Sequence, residues 1–204
     1  MTLRAATPRL VLASTSAARR QLLSSAGLRF DVVSAAVDEA AIRKAARADS
    51  LSADETALTL ARLKATRISA GDPAALVIGA DQLLACGGEW FEKPQTRAAA
   101  RADLLRLRGR WHVLHTAVVC MTGNAVLWQH VARPKLLMRA FSEAWLDAYL
   151  DIEAEQVTGC VGAYRIEAAG VQLFDAIDGD YFSILGLPLL PLLGFLRQHG
   201  LLQA

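Results

Sequence analysis

The sequence is poor in cysteine, and the three cysteines that it has, Cys86, Cys120 and Cys160, are odd in number and widely separated. That spacing provides neither a metal knuckle nor a disulfide framework. We interpret all three as small apolar residues of a protein that works in a reducing compartment, and we expect the cytoplasm.

An excess of charge of one sign is also lacking. The chain has 22 Lys and Arg residues against 20 Asp and Glu residues, a net charge of +2. A protein that binds duplex nucleic acid by neutralising phosphates needs a basic face, so the balance argues against that class. It still allows a small, local basic pocket.

Long hydrophobic runs are missing as well. The longest apolar stretch, residues 184–196, contains Pro188 and Pro191 and is shorter than the ~20 residues of a spanning helix. Near the N-terminus only residues 10–13 form an apolar run, which is too short for a signal peptide. We therefore expect no membrane partner and no secretion.

What the sequence does contain is material for a folded core. Its 204 residues are 53% hydrophobic and 21% charged, which excludes disordered, collagen-like and coiled-coil classes. No repeat or linker divides the chain, so we predict a single domain over residues 1–204.

Predicted strands and helices are interspersed along the chain, which indicates an α/β fold. Neighbouring strands without a helix between them predict a mixed sheet rather than a parallel one. The predicted strands are residues 9–13, 30–34, 76–80, 112–121, 125–141 and 171–177; the predicted helices are 14–26, 54–70, 96–108, 142–150 and one that starts near residue 188.

A first candidate site lies where the first strand leads into the first helix. Ser14 and Ser16 offer hydroxyl groups at a helix N-terminus, which attracts anions through its free N–H groups. Arg19 starts on the inward helix face, and a guanidinium there needs an anionic partner. The alternative is a serine cap followed by solvated arginines.

A second candidate is Lys64, which shares a helical face with Leu60 and Ile68. A lysine inside an apolar stripe either extends its ammonium to the solvent or reaches an anion in a cleft. The pattern leaves both open.

Carboxylates form a third group. Asp81 follows the predicted strand 76–80, and ligands of α/β sheets gather at the carboxyl ends of strands. A carboxylate there can accept a proton or hold a divalent cation, or it can simply cap the turn. With Glu39 and Lys93, it makes a set of both charge signs that suits attack on a nucleotide phosphate.

Several motifs together resemble one family. Residues 10–23 resemble the opening of Maf-like nucleoside triphosphate pyrophosphatases, and the likeness continues over roughly residues 9–198. The further matching segments follow in the family's order: Val37-Asp38-Glu39, Leu60-Ala61 with Lys64-Ala65, Ile78-Gly79-Ala80-Asp81, Glu92-Lys93-Pro94, Gly162-Ala163-Tyr164, Gly179-Asp180-Tyr181 and Gly186-Leu187-Pro188-Leu189.

The resemblance implies a bilobed α/β fold with a central cleft, like that of inosine triphosphate pyrophosphatases, in which helices flank a mixed, twisted sheet. It implies hydrolysis of a nucleoside triphosphate to the monophosphate and pyrophosphate with a divalent metal, Mg²⁺ or Mn²⁺. The roles it implies are Asp81 as the proton acceptor, Ser14, Arg19, Lys64 and Lys93 as phosphate-binding residues, and Glu39 with Asp81 as metal ligands.

In this family, the residues at three further positions correlate with the nucleobase of the substrate. Gln82 and Glu167 resemble the branch that acts on 7-methyl-GTP, whereas members that act on dTTP and UTP tend to have Thr and Gln there. A carboxylate at Glu167 can accept hydrogen bonds from guanine and oppose the positive charge of the methylated ring. Ala18 departs from both branches, which often carry an aromatic residue or Arg.

The function we expect is therefore a 7-methyl-GTP pyrophosphatase. Two alternatives stay open, a dTTP/UTP pyrophosphatase of the same family and a nucleotide-binding regulator of septum formation. The expected partner is a small-molecule nucleotide, and the sequence is compatible with a homodimer.

Overall fold

The computed structural model describes residues 8–203 and contains one mixed sheet of eight strands in that range. The strand order is β2-β1-β3-β5-β7-β8, with β4 on β3 and β6 on β5. Strand β1 runs parallel to β2 and β3, whereas β4, β6, β7 and β8 pair antiparallel, so the prediction of a mixed sheet is confirmed. The strands are β1 Leu10–Leu12, β2 Asp31–Val32, β3 Leu76–Cys86, β4 Glu89–Phe91, β5 Trp111–Thr122, β6 Ala125–Ala132, β7 Lys135–Met138 and β8 Phe174–Asp178.

Seven α-helices and two 3₁₀ helices lie among the strands of the described range, and none of these helices is long and apolar enough to cross a membrane. The α-helices are α1 Ala17–Ser25, α2 Glu39–Ala48, α3 Ala53–Ser69, α4 Arg97–Leu107, α5 Glu143–Glu153, α6 Tyr181–Ile184 and α7 Leu189–Gln198; the 3₁₀ helices are Ala154–Gly159 and Ala169–Leu173.

Polar caps explain where several helices begin. The hydroxyls of Ser16, Thr96 and Ser142 each accept a hydrogen bond from a backbone N–H in the first turn of α1, α4 and α5. At α3, Ser52 and Glu55 cap each other's backbone in a complete capping box. The predicted helices at these places are confirmed to within a few residues.

The structure differs from the sequence-based elements at several places. Helices α2 and α6 and strand β4 are not predicted, and β3 continues well beyond residue 80. The predicted strand 125–141 forms two strands, β6 and β7. Strand pairing is interrupted between them at Pro134, which has no N–H to donate. Strand β8 begins at Phe174, after the 3₁₀ helix that occupies the start of the predicted strand 171–177.

Residue contacts divide the chain into two compact units. Within the described residues, unit 1 consists of residues 8–81, 116–132 and 186–203, and unit 2 of residues 82–115 and 133–185. Strands β3 and β5 therefore each contribute residues to both units.

Each unit has its own core. In unit 1 small side chains of α3, Ala57, Ala61 and Ala65, pack with Val11 and Val77 of the sheet. The core of unit 2 uses larger side chains, among them Leu104, Leu107, Leu114, Phe141, Tyr149 and Tyr164. The small residues of α3 let the helix approach the sheet closely.

Candidate active site

Asp81 lies in the middle of β3 and not after its end, so the expected boundary of that strand is wrong. Residues 84–86 of β3 pair with β4 and extend the strand. The parallel pairing of β1 with β3 nevertheless ends at Leu12 and Ile78, three residues before Asp81. Asp81 therefore still follows the carboxyl end of a parallel strand pair, where ligands of α/β proteins bind.

A close helix–strand contact brings Lys64 to Asp81. A Cβ atom at Gly79 would lie 2.1 Å from the carbonyl oxygen of Ala61 and 2.9 Å from Cβ of Ala65, so only glycine allows α3 to pack this close. Lys64, on the same turn of α3, places its Nζ 2.6 Å from Oδ1 of Asp81. Its side chain is only 10% exposed, so the alternative in which Lys64 extends to the solvent is wrong.

Glu39 is the second carboxylate at this lysine. It is the first residue of α2, whose N-cap Asp38 accepts a hydrogen bond from the N–H of Ala41. Oε1 of Glu39 lies 2.6 Å from Nζ of Lys64, so one ammonium group bridges Glu39 and Asp81. Sharing this cation offsets part of the cost of placing two carboxylates close together in a partly buried site.

Arg43 completes the set and was missed by the sequence reasoning. Its Nη2 donates to Oε2 of Glu39 at 3.0 Å, one helical turn away, and lies 3.6 Å from Oδ2 of Asp81. The signal that could have identified it is the Glu-to-Arg spacing of four residues, which places both side chains on one helix face. We call Glu39, Arg43, Lys64 and Asp81 the charged cluster.

Two atoms of the charged cluster are buried without a hydrogen bond to any described residue, Oδ2 of Asp81 and Nε of Arg43. Buried polar atoms are nearly always paired in native proteins, and exceptions call for a water, ion or ligand. The charged cluster therefore has one hydrogen-bond acceptor and one donor without a partner among the described residues, and a polar ligand would bind to both.

Arg19 also lies in unit 1, and it is buried, with a relative exposure of 9%. Its Nε donates to the carbonyl of Gly186 at 2.7 Å and its Nη1 to Oγ of Ser14 at 3.2 Å. Burial lowers the pKa of Arg19, and the negative charges of Asp81 and Glu39 oppose that shift. The expected inward orientation is confirmed, and the solvated alternative is wrong for Arg19.

Gly186 fits against this arginine for a steric reason. Its φ is +99°, and a Cβ there would lie 3.3 Å from Nε of Arg19.

Ala18, which precedes Arg19 in α1, is half-buried. The structure therefore brings Ser14, Arg19, Glu39, Lys64 and Asp81 together within unit 1, as the candidate set requires.

The remaining candidates belong to unit 2. Successive residues of a strand face opposite sides, so Gln82 points away from the side of β3 that carries Asp81. The Nε2 atom of Gln82 donates to the carbonyls of Ser183 and Ile184, at 3.0 and 3.1 Å. Gln82 therefore holds the end of α6.

Lys93 and Glu167 are exposed, and the charges of both act on the thiol of Cys160. Burial raises the pKa of the half-buried Cys160 thiol; the charge of Glu167 raises it further, whereas Lys93 lowers it. Unit 2 therefore carries both the predicted phosphate-binding lysine and the predicted base-recognition carboxylate.

The fold and the charged cluster define a mixed α/β protein with a buried site of both charge signs. A family model described as "Maf-like protein" matches residues 9–199. The chain belongs to this family, which confirms the resemblance.

Curated relatives match along nearly the whole chain. A protein of Granulibacter bethesdensis is 56% identical, over 94% of this chain and 97% of its own length. Proteins of Rhodospirillum rubrum and Paramagnetospirillum magneticum are 52% and 50% identical, over 96% and 93% of this chain and 96% and 98% of their own lengths. All three are named nucleoside triphosphate pyrophosphatase.

Proposed function

We propose that this protein hydrolyses a nucleoside triphosphate to the nucleoside monophosphate and pyrophosphate, and that 7-methyl-GTP is its preferred substrate. The name shared by relatives that are 50–56% identical supports the reaction. The observation that carries it is Oδ2 of Asp81, a buried carboxylate oxygen that no described residue hydrogen-bonds, placed beside Lys64 and Arg43.

Asp81 accepts the proton in this scheme. Lys64 occupies Oδ1, so Oδ2 takes a proton from the attacking water. The water oxygen forms a bond to phosphorus while the bond between the α- and β-phosphates breaks, and the leaving pyrophosphate keeps the electron pair. Lys64 and Arg43 hold the carboxylate in place and add positive charge where phosphate charge develops.

Arg19 and Ser14 bind phosphate oxygens in the same proposal. The bonds to Gly186 and Ser14 use two of the five N–H donors of Arg19 and fix its plane. Further donors remain for the paired oxygens of a phosphate, which a planar guanidinium suits. Lys93, an exposed cation of unit 2, adds a point charge for the leaving pyrophosphate.

Glu39 and Asp81 would hold the divalent cation. Mg²⁺ and Mn²⁺ favour oxygen ligands, and Mg²⁺ commonly binds one or two carboxylates together with substrate phosphates. Such a site needs no third acidic ligand, and no group of three His, Cys, Asp or Glu suited to a metal is found in residues 8–203. The oxygen of Asp81 that would contact the cation is Oδ2, which has no hydrogen bond to a described residue. When bound, the cation would offset phosphate charge.

Glu167 recognises the base. It is an exposed carboxylate, so it can accept from guanine N–H groups and oppose the positive charge of a 7-methylated ring. Uracil and thymine offer a carboxylate a single N–H donor on their pairing edge, N3–H, and flank it with the acceptors O2 and O4, which repel a carboxylate. Gln82, through α6, and the small Ala18 complete the proposed specificity set.

A nucleotide panel tests the proposal. Pyrophosphate release is measured with 7-methyl-GTP, GTP, dTTP and UTP in the presence of Mg²⁺ or Mn²⁺. We expect kcat/KM for 7-methyl-GTP to exceed that for dTTP and UTP by at least ~10-fold, about 1.4 kcal/mol. Higher efficiency on dTTP or UTP would overturn the base assignment alone. Nucleotide binding without pyrophosphate from any of them would favour the regulator of septum formation.

A further inference from the structure

A buried carboxylate at the end of α5 holds the segment that carries Glu167. Glu153 is 3% exposed, although an isolated charge is costly to bury. Its Oε2 accepts from Nε of Arg165 at 2.8 Å, and its Oε1 accepts from the backbone N–H of Ala169 at 3.1 Å. The two partners flank Glu167, two residues before it and two residues after it.

The same segment is folded tightly on itself. The N–H of Ala168 donates to the carbonyl of Arg165 at 3.1 Å. A Cβ atom at Gly170 would lie 2.5 Å from that carbonyl oxygen and 2.7 Å from the nitrogen of Arg165. Both ends of the segment 165–170 are thus fixed, and exposed Glu167 lies between them.

Arg165 is also an electrostatic neighbour of Glu167. The hydrogen bond with Glu153 is the largest cause that raises the pKa of Arg165, and the charge of Glu167 raises it as well. The Arg165 side chain is 31% exposed, so it can move if its bond to Glu153 is lost. Once that bond is lost, Glu167, two residues along the chain, is the carboxylate with which Arg165 would pair.

We propose that Glu153 is a positioning residue for base recognition: by bonding Arg165 and the backbone of Ala169, it keeps Arg165 from neutralising Glu167. The inference rests on the proposed function, since it assumes that Glu167 recognises a cationic base. Glu153 itself touches no substrate. It acts through the charge of its neighbour and the shape of the segment.

The test is the ratio of kcat/KM for 7-methyl-GTP to that for GTP, two nucleotides that differ by the methyl group and its charge. In Glu153→Gln an amide oxygen can still accept from the N–H of Ala169, but the charge that holds Arg165 is gone. We expect the ratio to fall about fivefold, because Arg165 then pairs with the exposed Glu167. This is the upper range for the effect of an exposed charge pair. The loss should appear in KM for 7-methyl-GTP and leave kcat unchanged, since the charged cluster is untouched.

Three further variants complete the design. Glu155→Gln removes an exposed charge from the same stretch and should leave the ratio unchanged. Glu153→Asp keeps the charge and should stay within about twofold of the wild type, which also provides the test if Glu153→Gln does not fold. Glu153→Gln with Arg165→Gln removes the competing cation and should restore the ratio.

The outcomes separate the two proposals. A wild-type protein without preference for 7-methyl-GTP over GTP would contradict the base assignment in the proposed function. A wild-type preference that a folded Glu153→Gln variant retains would overturn only the positioning role of Glu153. A ratio that stays low in the double variant, or that falls as far in Glu153→Asp as in Glu153→Gln, would also overturn it.

Discussion

Lys64 links the two carboxylates of the charged cluster. Its Nζ lies 2.6 Å from a carboxylate oxygen of both Glu39 and Asp81, closer than Nη2 of Arg43, which lies 3.0 and 3.6 Å from the same two residues. Breaking a buried ion pair by removing one partner is strongly destabilising, because the other charge is left uncompensated. Lys64 is therefore expected to matter for stability as well as for chemistry.

The corresponding variant is Lys64→Met, which keeps the apolar stem and removes the ammonium. We expect the free energy of unfolding to fall by about 3–5 kcal/mol, measured by urea denaturation at neutral pH. Lys44→Met, an exposed lysine on α2, is the matched control and should change stability little. Equal stability of the two variants would show that Glu39 and Asp81 do not need this cation.

His112 makes stability depend on pH. It is buried on β5 with its Nε2 2.9 Å from Oη of Tyr164, and burial lowers its pKa from 6.5 to about 4. Between those values the unfolded chain binds a proton that the folded protein does not. The contribution of His112 is therefore present above pH 6.5 and is lost as the pH falls towards 4, by up to about 3 kcal/mol.

The measurement compares unfolding free energies of the wild type and His112→Gln at pH 7 and pH 4.5. Carboxylates titrate in both proteins, so the difference between them isolates His112. The wild type should lose more stability on acidification than His112→Gln. Parallel losses in the wild type and His112→Gln would contradict the assignment.

At the scale of elements, the contact between α3 and β3 sets the site. Gly79→Ala would push a Cβ against the carbonyl oxygen of Ala61, which is backbone and cannot rotate away. We expect a loss of about 1–3 kcal/mol in the free energy of unfolding, as for overpacked cores, and a fall in turnover because Lys64 moves from Asp81.

Gly71→Ala is the control for that variant. A Cβ at Gly71 would lie 3.6 Å from the carbonyl oxygen of Ile68, an ordinary contact, so melting temperature and turnover should both stay near the wild-type values. If Gly79→Ala behaves like Gly71→Ala in both measurements, the close approach of α3 is not what positions Lys64.

The elements also show which sequence signals were informative. Serine and threonine caps predict the starts of α1, α4 and α5, because their hydroxyls satisfy first-turn N–H groups that would otherwise lack partners. Helix α2 was not predicted, although Asp38 caps its start and Ala41, Ile42, Ala45 and Ala46 recur at helical spacing. Missing α2 meant missing Arg43, which α2 carries into the charged cluster.

At the scale of the whole molecule, the mixed α/β class and most candidate residues of unit 1 could be predicted from local patterns. The stripe of Leu60, Lys64 and Ile68 left two outcomes open for the lysine, an ammonium that extends to the solvent or one that reaches an anion in a cleft. Its partners could not be predicted from that stripe, because Glu39 and Asp81 come from other elements and meet it only in the folded chain.

The boundary between the two units has no local signal in the sequence, although the family resemblance implies a bilobed fold. No linker marks the boundary, since β3 passes from unit 1 to unit 2 between Asp81 and Gln82, and β5 has residues in both. A boundary inside a strand has no composition of its own. The alternation of side chains along β3 then separates the neighbours Asp81 and Gln82, which sequence proximity alone would have grouped.

The central claim is that Asp81 accepts the proton in the hydrolysis of a nucleoside triphosphate, and Asp81→Asn tests it most directly. Asparagine is nearly isosteric and keeps an oxygen for Lys64, so the melting temperature should stay close to that of the wild type. Pyrophosphate release from the preferred nucleotide of the panel should fall by at least ~10²-fold, the low end for loss of a general base. Near-normal release by a folded Asp81→Asn protein would contradict the account.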